Sequence, residues 1–343
     1  MNTTAQHKSM DPSGDPAFET FLEATKAEPI YVILGVQGSG TNLTGRFLKR
    51  FYRFSVVRDQ SYLVQAASRL GPSPTADAVH REIRRFTALA FPSNVRRRTR
   101  RKISDYAKFE GVIAELRPDR IRSGADFVRI IHAYRAYSLG TTRMAVKSDD
   151  LWAHMESLDS ALPNRRILLI TRDFRDNLVS ITGKHFGPIE PLAAARYVKA
   201  RFAHYLGEYR RSGSRALHTK FETLVNDPRQ FIADFGAAFG IAPVVEVDAA
   251  LESFQIRPNR TQRWKKLPVN TLGWCESLLH DELVEFGYEL AMPARMKPPQ
   301  SAILAAAARD AVKRVPQKIR TAIWRIAGRT QGWNSGNRPG REI

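Results

Sequence analysis

One segment constrains the fold of this chain most strongly, because a buried strand, a glycine-rich turn and a helix follow each other in it. Residues 29–35 read PIYVILG, a continuous apolar and β-branched run that is typical of a strand buried on both faces. The turn GVQGSGTN (35–42) comes next, and residues 43–52 have apolar side chains at helical spacing. This order opens a βαβ unit, and a βαβ unit belongs to a parallel sheet.

The rest of the chain continues the alternation of strands and helices. The pattern predicts further strands at 54–57, 143–150, 165–173 and 216–221, and further helices at 174–183, 191–211, 228–240 and 272–286. Alternating strands and helices predict a three-layer αβα fold of the α/β class, in which helices cover both faces of a central parallel sheet. In such folds ligands bind at the carboxyl ends of the strands.

Composition shifts divide the chain into a body and three attached segments. We predict a flexible leader over 1–28 with room for one short helix, and a body over 29–293. Within the body, residues 58–140 are helical in pattern and basic, which marks them as an insertion and a candidate acceptor region. Residues 294–343 form a basic amphipathic tail, with helical spacing over 301–329.

The charge of the chain is unusual and is concentrated in two segments. The sequence has 54 Lys and Arg against 34 Asp and Glu, a net charge of +20. Residues 81–102 hold nine basic residues against one acid, and residues 296–343 hold ten against two. A polyanionic partner is therefore expected at the insertion and the tail, because the remainder of the chain is close to neutral.

Several classes of protein are disfavoured by what the sequence lacks. Cys275 is the only cysteine, so an intramolecular disulfide and a cysteine-based zinc site are excluded. The first residues contain no apolar run of the secretory type, and no stretch reaches the roughly 18–20 apolar residues of a spanning helix. We expect a cytoplasmic protein that needs no metal.

The glycine turn is a candidate phosphate-binding loop. Glycines let the backbone approach a phosphate closely, and the following helix start offers N–H groups and partial positive charge. The residues expected to bind are Gly38, Ser39, Gly40, Thr41 and Asn42. The alternative is a glycine turn without a ligand. A kinase or ATPase loop would have lysine where Thr41 stands, which argues against ATP hydrolysis.

A second motif, TRDFRDNLVS over 171–180, follows the strand predicted at 165–173. It places Arg172 at the carboxyl end of that strand and Ser180 about two turns along the next helix. Arg172 can form a fork of hydrogen bonds to a phosphate, and Ser180 can reach the same oxygens. Asp173 and Asp176 are interpreted as capping and turn residues. Taken alone, this motif is common in loops.

Taken together, the two motifs resemble the sulfotransferase superfamily, whose members use 3′-phosphoadenosine 5′-phosphosulfate (PAPS). Three further segments are similar to that family: VKSDDLW (146–152), KFETLVNDP (220–228) and RTQRWKKLPVN (260–270). The resemblance implies a P-loop NTPase-like sulfotransferase fold in which the glycine loop binds the 5′-phosphosulfate. It also implies that Arg172 and Ser180 bind the 3′-phosphate.

The segment 260–270, the closing segment, contains three cations that the same resemblance suggests lie over the nucleotide; these are Arg260, Arg263 and Lys265. The alternative is a solvated basic loop.

The sequence departs from the family at positions that matter for catalysis. Gly38 stands where members usually carry the lysine or arginine that stabilises the leaving phosphate. Lys147, at the end of a strand, is the candidate replacement, or else a surface lysine. The general base, which takes the proton of the acceptor hydroxyl, is expected to be Asp149 or Asp59, with His132 a weaker candidate. Alternatively, Asp149 caps a helix and Asp59 is a solvated turn residue.

The predicted function is transfer of a sulfuryl group from PAPS to an acceptor hydroxyl, for example of a carbohydrate or a lipid-linked glycan. The cluster VRRRTRRK (95–102) fits an anionic glycan or glycolipid acceptor, or else is a solvated loop. The segment 301–329 fits either an anionic membrane surface or the protein's own body. Two alternatives stay open: a catalytically silent nucleotide-binding relative, and a basic membrane-surface or nucleic-acid-binding protein. No specific nucleic acid is expected, because no recognisable motif accompanies the charge.

Overall fold

The fold is built on a central sheet of five parallel strands. The computed structural model describes residues 16–58, 61–90, 112–148, 150–182, 184, 187–256 and 261–312. The strands are β1 Ile30–Leu34, β2 Ser55–Arg58, β3 Met144–Lys147, β4 Arg165–Thr171 and β5 Ala216–Lys220. Their order in the sheet is β2-β3-β1-β4-β5, so the chain leaves β1 in one direction first and returns to its other side later. A ligand crevice is expected at such a switch point.

Strand register brings the candidate motifs to one edge of the sheet. Ile33 of β1 pairs with Lys147 of β3, and Leu34 pairs with Leu169 of β4. All four pairings are parallel, so every strand ends at the same edge. The glycine loop after β1, the motif TRDFRDNLVS after β4 (the RD motif, 171–180) and the end of β3 are therefore neighbours.

The helices of the described chain cover both faces of this sheet. They are α1 Pro16–Ala24, α2 Thr41–Tyr52, α3 Ser61–Leu70, α4 Ala76–Ala90, α5 Val112–Glu115, α6 Gly124–Ser138, α7 Leu158–Ala161, α8 Phe174–Thr182, α9 Pro191–Ser212, α10 Phe221–Asn226, α11 Pro228–Phe239, α12 Val247–Glu252, α13 Val269–Leu278 and α14 His280–Glu285. Short 3₁₀ segments lie at Leu151–Ser157, Gly213–Arg215 and Arg263–Lys266, and a further helix spans 300–312.

Two hydrophobic cores separate the layers. Alternate residues of β1 point to opposite faces: Val32 packs with one core, which includes Phe127 of α6, and Ile33 packs with the other, which includes Phe235 of α11. All five residues of β1 are buried, as its continuous apolar run predicts. The three-layer αβα architecture predicted from the alternation of strands and helices is confirmed.

The last helix of the body is two helices. The sequence predicts one helix over 272–286, but α13 ends at Leu278 and α14 begins at His280. Leu279 between them leaves the helical conformation, with φ −105° and ψ 11°. The same leucine is fully buried, so packing against the core decides the break.

Part of the predicted leader is packed rather than loose. Helix α1 buries Phe18, whose ring lies 5.6 Å from the ring of Tyr134 and 5.6 Å from that of Tyr137 on α6. Aromatic contacts of this geometry add to the stabilisation that burial provides. The one short helix for which the predicted leader had room is therefore α1, and it is packed against α6 rather than loose; residues 1–15 lie outside the described residues.

The start of the basic tail packs against the body. Helix 300–312 buries Ala306, and the carboxylate of Asp310 accepts a hydrogen bond of 2.6 Å from the backbone N–H of Ile189. The helical pattern of the tail predicts one apolar stripe made of Ile303, Ala307, Ala311, Val315, Ile319 and Ile323. Of the three that the structure describes, Ile303 packs against the core, whereas Ala307 and Ala311 are exposed. Ala306 and Asp310 make further contacts with the body. Residues 313–329 lie outside the described residues.

The described part of the predicted insertion is helical, comprising α3, α4, α5 and α6. Its basic cluster, 95–102, falls outside the part of the chain that the structure describes. No helix among the described residues combines the length and the hydrophobicity that crossing a bilayer requires. The domain boundaries proposed from the sequence stay predictions.

Candidate nucleotide-binding site

The loop between β1 and α2 needs glycine at two positions. Gly38 and Gly40 have φ angles of 91° and 96°, in the left-handed region that residues with a side chain rarely adopt. A Cβ atom at Gly38 would lie 2.9 Å from the Ser180 Oγ, and one at Gly40 would overlap the ring of Phe221. The loop is therefore held close to two other elements of the fold.

Helix α2 directs its first N–H groups into this loop. It begins at Thr41, with Gly40 as the N-cap residue and no side-chain cap. The first N–H groups of a helix have no partner inside it and carry partial positive charge, so they suit an anion. Ser39 and Thr41 are buried at the loop, whereas Asn42 is exposed.

Arg172 joins the second motif to the glycine loop. Its Nη1 donates a hydrogen bond of 3.0 Å to the Gly38 carbonyl, and its Nη2 lies 3.3 Å from the Asp176 carboxylate. The guanidinium also lies over the Phe221 ring, 4.8 Å from the centroid. Because a Cβ at Gly38 would meet Ser180, that serine also lies beside the loop, and the fold brings together residues from both predicted cofactor-binding motifs.

Asn177 makes a second connection that the sequence analysis missed. It is fully buried on α8, and its Nδ2 donates to the Gln37 carbonyl at 3.1 Å and to the Ser39 Oγ at 3.0 Å. The available signal was an amide side chain in the middle of a helix that follows a buried strand. Such a group needs partners once it is buried, and the nearest loop supplies them.

Asp176 fastens the closing segment onto α8. Its carboxylate accepts hydrogen bonds from the backbone N–H of Gln262 at 2.7 Å and of Trp264 at 3.2 Å. The indole of Trp264 in turn lies 3.8 Å from the Arg175 guanidinium. Burial raises the pKa of Asp176, while the Arg172 charge and the two N–H groups lower it. The interpretation of Asp176 as a helix cap is wrong, because its carboxylate pairs with Arg172 and accepts N–H groups from the distant closing segment.

The predicted cations of the closing segment are only partly described. Arg263 and Lys265 are exposed on the short 3₁₀ helix that Asp176 holds, and the Lys265 Nζ donates to the Gln262 side chain at 2.8 Å. Arg260 lies outside the described residues. Asp176 thus positions the two described cations beside the RD motif.

Of the predicted catalytic residues, the structure describes Lys147. It is buried, with 4 % of its surface exposed, at the carboxyl end of β3 beside β1. Asp149 and Asp59 both lie outside the described residues. His132, the weaker candidate for the base, is buried in α6, and burial lowers its pKa to about 3. A histidine that rarely accepts a proton near neutral pH is a poor general base.

Two further features describe the surroundings of the site. Among the described residues, no group of three or more histidine, cysteine or acidic side chains is placed to hold a metal ion. A cavity of about 430 Å³, with Tyr52, Arg143 and Val244 in its wall, lies at the amino ends of the strands. It is at the opposite edge of the sheet from the glycine loop, so it is separate from the candidate site.

The fold and the loop together define a class of α/β proteins. In this class a glycine loop joins the first strand of a parallel sheet to a helix, and the arginine that follows the fourth strand lies beside that loop. The family model described as Sulfotransferase family matches residues 29–244 of the chain. The chain belongs to the sulfotransferase family. This match extends over β1 to β5 and therefore includes both motifs of the candidate site. No curated protein matches the chain in a sequence search.

Solved structures of sulfotransferases are similar to the chain at low sequence identity. The sulfotransferase domain from the curacin biosynthetic pathway has a TM-score of 0.51 at 15 % identity, covering 76 % of this chain and 98 % of that one. For the domain from the Synechococcus PCC 7002 olefin synthase, the TM-score is 0.46 at 17 % identity, with 77 % and 96 % covered. The sulfotransferase STF9 from Mycobacterium avium gives 0.44 at 14 %, with 79 % and 80 % covered. The curacin-pathway domain shows the same fold.

Proposed function

We propose that this protein is a PAPS-dependent sulfotransferase that moves a sulfuryl group to an acceptor hydroxyl. The observation that carries the proposal is the contact between the Arg172 guanidinium and the Gly38 carbonyl, 3.0 Å long. This contact places an arginine of the RD motif beside the glycine loop, where the first N–H groups of α2 also lie. One site is thereby suited to bind two phosphate groups of a single nucleotide.

Each end of the nucleotide has candidate partners. Arg172 and Ser180 would hold the 3′-phosphate, since the family resemblance assigns those positions to it. The loop from Gly38 to Asn42 would hold the 5′-phosphosulfate with its N–H groups and with the hydroxyls of Ser39 and Thr41. The exposed cations Arg263 and Lys265, together with Arg260, would close over the nucleotide from the segment that Asp176 holds.

The chemistry requires a cation on the donor side and a base on the acceptor side. In the transfer, the bond between sulfur and the 5′-phosphate oxygen breaks with its electron pair left on that oxygen, and the acceptor oxygen forms the new bond to sulfur. Lys147 is proposed to stabilise the charge that builds on the leaving phosphate. The acceptor's proton would pass to Asp149 or Asp59.

The acceptor is proposed to be a hydroxyl of a carbohydrate or a lipid-linked glycan. The basic cluster 95–102 lies in the sequence between β2 and β3, within the predicted insertion 58–140 that is the candidate acceptor region. Its cationic side chains suit an anionic acceptor. The basic tail is a second candidate for contact with an anionic surface, although helix 300–312 itself packs on the body.

A catalytically silent, nucleotide-binding relative is the second candidate function. Gly38 favours it, because a side chain at that position would collide with Ser180 and the usual leaving-group cation cannot be added to this backbone. Such a protein would bind 3′-phosphoadenosine 5′-phosphate (PAP) and PAPS without transferring the sulfuryl group.

The proposal is tested by thermal shift with PAP and ATP in parallel. Binding to the native state raises the melting temperature, so PAP should stabilise the protein and ATP should not. Arg172→Ala should weaken PAP binding about 10- to 100-fold, since a charge-assisted contact contributes roughly 1.5–3 kcal/mol. Arg229→Ala is the control, because it removes the same charge from an exposed site on α11. Stabilisation by neither nucleotide would contradict the proposal.

Lys147→Met separates the enzyme from its silent alternative. Methionine keeps the length and the apolar stem of lysine but removes the charge. We expect PAP affinity to stay within a few-fold of the wild type, while turnover of PAPS falls about 100-fold or more, as for the loss of a preorganised electrostatic contact. Turnover near the wild-type rate would place the leaving-group cation elsewhere.

A further inference from the structure

The side chain of Gln37 is held in a fixed orientation immediately before the loop glycine Gly38. The Tyr197 hydroxyl of α9 donates a hydrogen bond of 2.5 Å to the Gln37 Oε1. The Gln37 backbone carbonyl accepts a second bond, from the Asn177 Nδ2 at 3.1 Å. Gln37 is 8 % exposed, so both bonds form away from bulk water. Main chain and side chain of one residue are therefore fixed by two different helices.

This arrangement leaves the amide nitrogen of Gln37 as a donor. An amide side chain has one carbonyl acceptor and an NH₂ group with two donors. Tyr197 occupies the carbonyl, and no described residue accepts a bond from the NH₂ group. A donor that is oriented in advance, beside a loop suited to phosphate, fits an anionic oxygen.

Tyr197 is itself held in place by a cation. The Arg201 guanidinium lies 3.3 Å from the centroid of the Tyr197 ring and 4.2 Å from that of Trp152. Trp152 belongs to the 3₁₀ segment that follows β3 and Lys147. A cation against the ring face fixes the phenol and strengthens its O–H as a donor. The segment after Lys147 is thereby connected to the glycine loop through Arg201, Tyr197 and Gln37.

A neutral donor at this position has a chemical role because Gly38 carries no cation. We propose that the Gln37 amide donates a hydrogen bond to the sulfuryl group of PAPS, with Tyr197 as its positioning residue. The inference rests on the proposed function, and it divides the work of the site: Gln37 binds the sulfuryl group that is transferred, and Lys147 stabilises the charge on the leaving phosphate. The NH₂ group of Gln37 has two neutral N–H bonds, and its orientation is already fixed, which suits it to donate to a sulfuryl oxygen.

The test compares two nucleotides that differ only in the sulfuryl group. Calorimetry with PAP and PAPS is carried out on the full chain and on Gln37→Ala, Gln37→Glu and Tyr197→Phe. Gln37→Ala should weaken PAPS binding about tenfold, the loss of one hydrogen bond to a charged group, and leave PAP within about twofold. Gln37→Glu should weaken PAPS more, because an acceptor replaces the donor. Tyr197→Phe should weaken PAPS about threefold.

The control is Tyr209→Phe, which removes the same hydroxyl from α9 at a site facing the His218 ring, and it should leave both affinities unchanged. Equal losses for PAP and PAPS in the Gln37 variants would overturn the inference, because Gln37 would then only shape the loop. Unchanged PAPS affinity would overturn it as well. A wild-type protein that binds neither nucleotide would contradict the proposed function itself, which is a different result.

Discussion

Gly38 has neither the backbone angle nor the space for a side chain. Its φ of 91° is unfavourable for any residue with a Cβ, and that atom would approach the Ser180 Oγ to 2.9 Å. Left-handed backbone costs such a residue roughly 1–2 kcal/mol before any collision is counted. The missing loop cation is therefore coupled to the position of Ser180, so adding lysine at 38 would not recreate the usual site.

Gly38→Ala should consequently lower both the melting temperature and the affinity for PAP. Gly71→Ala is a matched control, since Gly71 also has a positive φ, 67°, but no atom lies within 4 Å of its added Cβ. Both variants carry the backbone cost, and only the first displaces Ser180. PAP titrations of the two proteins should differ about tenfold or more, because a 1.4 kcal/mol difference corresponds to one factor of ten. Equal affinities would show that the contact with Ser180 is unimportant for binding.

At this scale the sequence predicts residue types better than their partners. The family resemblance predicts that Arg172 and Ser180 bind the 3′-phosphate, and the fold brings both residues to Gly38. The roles of Asn177 and Gln37 were not predictable, because each depends on a hydrogen bond across more than 100 residues of chain. A buried amide reports that it needs a partner but not where the partner lies.

The segment 261–266 is held largely through a single side chain. Asp176 of α8 accepts two backbone N–H groups from it, and the Arg175–Trp264 stacking adds a second contact. Bonds between a buried carboxylate and N–H groups are among the stronger ones in proteins. The closing segment is therefore held against α8.

Asp176→Ala should release this segment. The amides of Gln262 and Trp264 lose their acceptor, so their hydrogen exchange should accelerate about tenfold or more, in line with the 1.5–3 kcal/mol of a charged hydrogen bond. Asp248→Ala is the control, because that carboxylate is exposed and pairs with Arg229 on the surface. Hydrogen exchange followed by mass spectrometry compares the two variants. Protection at residues 261–266 that is unchanged in Asp176→Ala would show that other contacts hold the segment.

Element prediction succeeded where burial and periodicity agree. The strand predicted at 29–35 is β1, Ile30–Leu34, because its apolar run reflects burial on both faces. The single helix predicted over 272–286 is wrong at Leu279. The apolar periodicity of the sequence continues through this residue, but Leu279 packs into the core in a non-helical conformation. The tail stripe is correct at Ile303, which packs against the core, and wrong at Ala307 and Ala311, because Ala306 and Asp310 make the contacts there instead.

For the whole molecule, the charge and the fold have separate causes. Buried arginines of the body are paired: Arg165 lies 2.7 Å from Glu208, and Arg175 lies 2.7 Å from Asp173. The charges of such a pair compensate each other inside the protein, so they add nothing to the net charge. Removing one partner of a buried pair destabilises the fold by more than the intact pair stabilises it. The net charge of +20 is concentrated in 81–102 and 296–343, most of which lie outside the described residues. We predict that this excess acts in binding the acceptor or in locating the protein in the cell, since the proposed reaction needs only a few placed cations.

The stability of the whole fold should decrease as the pH falls below about 6.5. Burial lowers the pKa of His132 to about 3, and burial with the nearby Lys220 charge lowers that of His218 to about 4. In the unfolded chain both titrate near 6.5, so between these values the unfolded state binds more protons than the folded state. The contribution is complete above pH 6.5 and is lost progressively as the pH falls toward the folded values.

His132→Phe and His132→Gln test this at one residue. Neither ring nitrogen of His132 has a hydrogen-bond partner among the described residues, so the variants remove titration without removing a bond. Phenylalanine keeps the ring and glutamine keeps polarity, so the two differ in absolute stability. Both should nevertheless flatten the dependence of the unfolding free energy on pH between 4 and 6 by about 1.4 kcal/mol per pH unit, the slope of one proton. Urea unfolding at each pH measures that slope, and a wild-type slope in both variants would show that His132 is not the group that loses its proton on folding.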